Sequence, residues 1–196
     1  MADCTQKLTA DLLIDCDNLP VGGLGVNAWI FNTTDIDRSA VTVDAGNRVL
    51  MTNFQLLSGK VGFKLEGVKQ SNAKNYTLVP KEALYDKWLH QFNGVIFNPN
   101  AANKLQVDSM SKDGRYVVVV EQLWRGAGDE SAFEVLGYNV GLKLTEGLNN
   151  SVENDNGISI SLASESNYEE PGVAYTLLDI DYATTKAAYD NGFVQA

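Results

Sequence analysis

The run Arg115-Tyr116-Val117-Val118-Val119-Val120-Glu121-Gln122-Leu123-Trp124-Arg125 constrains this chain more than any other stretch. β-Branched and aromatic side chains lose χ1 freedom in a helix but pack well on a pleated surface. With no Gly or Pro to interrupt it, the run predicts a long strand. Gly126-Ala127-Gly128-Asp129-Glu130-Ser131 supplies a turn, and the return segment alternates with period two. Leu136, Tyr138, Val140, Leu142 and Leu144 share one face, and Gly137, Asn139, Gly141 and Lys143 the other. Two strands of about ten residues, each roughly 33 Å long, are expected to pair here. Gly137 and Gly141 weaken such a strand, which implies a bend or the close approach of another backbone.

The flanking segments read as further strands. Lys7 to Ile14 is a first strand or an arm, and Val26 to Asn32 a strand after the breaker-rich turn Asn18 to Gly25. Arg48 to Leu57 and Lys60 to Lys69 predict a hairpin turned by Ser58-Gly59, with Val61, Phe63 and Leu65 facing inward. Pro80 to Phe92 predicts the one firm helix, from Pro80 at its first position, the stripe Leu84, Trp88, Leu89, Phe92, and the stop Asn93-Gly94. Val95 to Phe97 and Leu105 to Met110 read as short strands around the loop 98–104. Asp155-Asn156-Gly157 marks a tight turn before strand Ile158 to Ala163, and Ala174 to Ile180 reads as the last strand. Asp181 caps a short C-terminal helix ending at Asn191-Gly192. The sum is a mainly β fold: an antiparallel β-sandwich or partly closed barrel with one flanking helix and a short C-terminal helix. The organisation expected is a single β-rich domain over 1–196, with residues 1–20 as an N-terminal arm.

The chain carries 25 acidic and 15 basic side chains, a formal charge of −10. Such a balance disfavours phosphate-coating nucleic-acid binders and anionic membrane surfaces as partners, and no apolar run is long enough to span a bilayer. Cys4 and Cys16 are too few for a disulfide framework, and reduced thiols are expected. The glycines of Asn18 to Gly25 superficially suggest a phosphate loop, but a strand rather than a helix follows, so no helix N-terminus faces an anion. Asp35 and Asp37 lack the third oxygen donor that calcium needs, and the loop mimic near Asp155 starts at Val152. His90 is the single histidine, expected in the last turn of the 80–92 helix, where its cation would suit the helix dipole. Trp29, Trp88 and Trp124 sit in apolar patterns that suggest core. No catalytic, cofactor-binding or metal-binding residue is assigned, no cofactor is expected, and the chain reads as a non-enzyme.

The polar loops 33–46, 98–104 and 164–173 are longer than a free-standing sandwich needs, and strand edges require cover. Copies lying side by side, each loop or arm resting on the next subunit, would meet both demands and close into a ring. The order of long hairpins, a single helix between strands, and the segment Phe133-Glu134-Val135-Leu136-Gly137-Tyr138-Asn139-Val140-Gly141-Leu142 resembles tailed-bacteriophage virion proteins, the tail-tube and tail-ring group foremost. That resemblance implies homo-oligomeric six-fold or twelve-fold rings, built from a β-sandwich plus helix, within a virion assembled in the host cytoplasm. It also implies neighbouring virion proteins as partners, an acidic lumen through which DNA passes only as cargo, no membrane, and no catalytic residues. An auxiliary or decoration protein on a capsid lattice, and a carbohydrate- or surface-binding β-sandwich module, are the alternatives.

Overall fold

The computed structural model describes residues 8–82, 85–152 and 155–195. Its strands are β1 (Leu24–Asn32), β2 (Thr42–Val43), β3 (Leu50–Asn53), β4 (Phe63–Glu66), β5 (Ala73–Val79), β6 (Lys87–Ile96), β7 (Tyr116–Gln122), β8 (Phe133–Leu136), β9 (Lys143–Asn149), β10 (Ile158–Ala163) and β11 (Tyr175–Leu177). The helices are α1 (Ala101–Met110) and α2 (Tyr182–Asp190), with one 3-10 turn at Thr33–Asp35. The fold is mainly β and sandwich-like, with two sheets and no closed barrel among the described residues. One sheet has seven strands in the order β2-β3-β11-β8-β7-β1-β4, the other four in the order β5-β6-β10-β9.

The valine run becomes β7, at the centre of the larger sheet. Val118 and Val120 face the smaller sheet, in a core with Ala28, Ile30, Leu136, Phe92 and Leu162. Val117 and Val119 face the other way, toward Phe31, Met51, Leu56, Phe133 and the α2 residue Tyr189. Both faces of β7 are therefore buried, which is why its apolar run is continuous rather than alternating. That second face is covered by α2 and by Ile36, Phe54 and Leu56, which flank β2 and β3. Asp181 caps α2 by accepting the Thr184 amide at 2.7 Å, as the sequence predicts. The Tyr189 hydroxyl donates to Asn27 O at 2.6 Å, and its burial raises the phenol pKa.

The hairpin expected at 115–144 forms, but its return arm is shorter. β8 ends at Leu136, after which Gly137 (φ 72°) and Gly141 (φ 92°) take left-handed backbone and turn the chain out of the sheet. Lys143 to Asn149 then joins the smaller sheet as β9. The predicted 48–69 hairpin does not form. Instead β3 pairs with β2 and, in parallel, with β11, while β4 pairs with β1.

The helix expected over 80–92 is replaced by a strand hairpin. Residues 83 and 84 lie outside the described residues, and Lys87–Ile96 forms β6, hydrogen-bonded to β5 and β10. Trp88 and Phe92 are four apart, a spacing that satisfies helix and strand periods alike. His90 and Gly94 fall on the same buried face, and Leu89 and Val95 break the polar alternation opposite. Gly94 is thus no helix stop. A Cβ there would lie 2.5 Å from Leu65 Cδ2 of the facing sheet, so the glycine lets the two sheets close. The interrupting helix lies further on, where a loop and a strand were expected. Asn100 caps α1 by accepting the Asn103 amide at 2.8 Å, and no α1 residue is fully buried. Val95 and Ile96 extend β6, and the last strand contracts to β11.

Candidate functional site

His90 is 2% exposed on β6, between the sheets. Its Nδ1 accepts the Gly137 amide at 3.2 Å, and Nε2 lies 2.9 Å from Gly172 O, so the ring is neutral with its proton on Nε2. Burial holds its pKa below the ordinary value, against the opposing pull of Glu170. Glu170 itself is 1% exposed. One carboxylate oxygen accepts the amides of Val140 (2.8 Å) and Gly141 (3.3 Å), and the other accepts Asn139 N and Nδ2 (both 3.0 Å). The turn between the two left-handed glycines is an anion socket, filled by a side chain of the chain itself. Close by, the Lys74–Glu134 ion pair bridges β5 to β8, with Gln122 Nε2 donating to Glu134 at 3.1 Å. These buried groups satisfy one another and join the 137–142 turn, the 164–173 loop and both sheets. Their geometry is that of a structural clasp. The signal for it in the sequence was the pair Gly137 and Gly141, without any mark on Glu170.

The other acidic candidates are similarly engaged. Burial pushes Asp35 up, but the Asn32 hydrogen bond and the Lys60 ammonium at 3.0 Å outweigh it and hold the carboxyl below its usual range. Asp37 accepts from Ser39 through its hydroxyl and amide. In the acidic loop, Glu165 meets Arg115 (2.7 Å) and Lys143 (3.2 Å), and Glu169 meets Lys81 (2.6 Å). No group of three or more metal-ligating side chains occurs among the described residues. Cys16 is exposed, and Cys4 lies outside the described residues.

What the fold leaves open is a surface. β4 is an edge strand of the seven-stranded sheet. Gly67 N–H donates to Val26 O at 2.6 Å. The pairing alternates from there, so Phe63 and Leu65 bond to β1 while the peptide groups of Lys64 and Glu66 point outward. Beside this edge runs a groove of about 1030 Å³. Its floor is made by Ile30, Leu65, Ile96, Tyr116 and Ile160, and α1 forms its far wall through Gln106 and Met110. Phe63 and Val61, expected to face inward, are 51% and 50% exposed, Phe63 on the groove's lining. A second apolar feature is the N-terminal stretch before β1, where Leu8, Leu12, Leu13 and Ile14 are 76–85% exposed.

No family model, curated protein or solved structure matches the chain. Among the described residues no helix is long and apolar enough to cross a membrane.

Proposed function

We propose that this protein is a structural component of a tailed-phage virion that assembles with copies of itself into a ring or tube. The observation that carries self-assembly is the uncovered β4 edge beside an apolar groove, on a chain that also exposes a run of large aliphatic side chains. An open edge next to apolar surface is a template for pairing with another chain. The buried His90, Glu170 and Glu134 are held by neighbouring groups, and the reading is of a protein that acts by packing and has no chemistry of its own. The virion placement rests on the resemblance of the central hairpin and its neighbours to tail-tube and tail-ring proteins. A charge of −10 is consistent with a lumen that DNA traverses without adhering.

Electron microscopy of concentrated purified protein tests this reading. Closed rings or stacked tubes of uniform diameter are the expected particles. Isolated single subunits, with retention on a glycan array, would point instead to a surface-binding module.

A further inference from the structure

We propose that the segment Leu8–Ile14 of one copy adds as a strand to the β4 edge of another, filling the groove between β4 and α1. This inference rests on the self-assembly reading and names its contact. Four observations carry it. The segment alternates, with Leu8, Ala10, Leu12 and Ile14 on one face and Thr9, Asp11 and Leu13 on the other, the pattern of a strand with one face to bury. Among the described residues that face has no partner, and the segment lies outside any strand and is exposed. The groove offers the complement. Outward peptide groups at Lys64 and Glu66 can extend the ladder, and Phe63 and Leu65 stand on the apolar side. On the opposite face of that edge stands Lys64, which meets Glu66 at 2.7 Å and is still 38% exposed, and residues 8–23 carry Asp11, Asp15 and Asp17 with no Lys or Arg. The strand face that turns Leu12 into the groove therefore presents Asp11 on the side of Lys64.

The path of the chain favours another copy over its own groove. Leu123 N donates to Gly23 O at 3.1 Å, and Trp124 Nε1 to Asn18 O at 3.4 Å. These bonds draw the arm off on the β7 side of β1, whereas β4 lies on β1's other side. Because the contact joins two different patches, it leaves each copy with one arm to give and one groove to fill, and so propagates from subunit to subunit.

The test uses full-length chains carrying either L12D with I14D in the arm, or F63D at the groove. All three side chains are at least half exposed, so both variants keep the fold, which circular dichroism verifies. Sedimentation of each alone is expected to show loss of assembly to single subunits. An equimolar mixture is expected to give a complex of two copies that grows no further, since only one intact arm and one intact groove meet. Assembly of either variant as in the unmodified chain would overturn the arm contact while leaving self-assembly through another face. A mixture that stays monomeric would also overturn it, in favour of an arm acting on its own subunit. An unmodified chain that never assembles would overturn the self-assembly reading itself, and the contact with it.

Discussion

His90 Nδ1 accepts the Gly137 amide proton across 3.2 Å, tying β6 to the turn at which the central hairpin leaves its sheet. The bond exists only while that nitrogen keeps its lone pair. Protonating the ring would set one N–H against another in a site with 2% exposure.

Stability should therefore depend on pH in a defined window. Burial, opposed by Glu170, lowers the His90 pKa below 6.5 in the folded chain. As pH falls through about 6.5, the unfolded chain gains a proton that the folded chain refuses, so stability is complete above that value and declines below it. His90 is the one histidine, and carboxylates titrate mostly below about pH 5, so the limb between belongs to it. Urea midpoints taken from about pH 7.5 down to about pH 5 should fall in the native chain. In His90→Asn the midpoints should start lower, for a stability loss of roughly 1–3 kcal/mol, and stay flat over the same range. A native profile as flat as the variant's would refute the clasp.

Glu170→Gln tests the socket. The carboxylate accepts two donors on each oxygen, and an amide would turn its own N–H groups toward two of them. A loss of about 3 kcal/mol in chemical denaturation is expected from charge-assisted bonds and buried donors left unpaired. Hydrogen exchange should show the amides of Asn139, Val140 and Gly141 opening first.

Gly94→Ala should cost about 1–3 kcal/mol, because its new Cβ meets Leu65 Cδ2 and, at 3.1 Å, Phe92 Cε1. Leu65→Ala removes the closer contact at a cost of its own of about 2 kcal/mol. The double variant should then be less destabilised than the sum of the two, a coupling read directly from a double-mutant cycle.

Asp181→Ala removes the acceptor for the Thr184 amide at the start of α2. A loss of about 1 kcal/mol is expected, together with a lower helical signal, since Tyr189 must hold α2 on the sheet with a frayed first turn.

The strands were legible where burial is simple, and misread where one spacing serves two periods. Ile158–Ala163 and the capped α2 lie where the sequence placed them. β6 was hidden because Trp88 and Phe92 sit four apart, and α1 because it buries no residue and so writes no apolar stripe. The register of β4 was invisible for another reason: its partner is β1, more than thirty residues away, and hairpin logic looks first to the nearest strand. Of the alternating Val61, Phe63 and Leu65, expected to face inward, only Phe63 and Leu65 lie in β4. Only Leu65 is covered, while Phe63 lines the groove and Val61 precedes the strand half exposed. The His90–Glu170 clasp was beyond reach, since residues eighty positions apart share no local pattern.

Coverage by copies of itself is the role we propose for this chain's open edge and groove. Sedimentation velocity of the full-length protein over a hundredfold range of concentration tests it most directly. The expected result is a 21.3 kDa species at high dilution that gives way to one discrete, much larger particle as concentration rises. A single 21.3 kDa boundary at every concentration would contradict it.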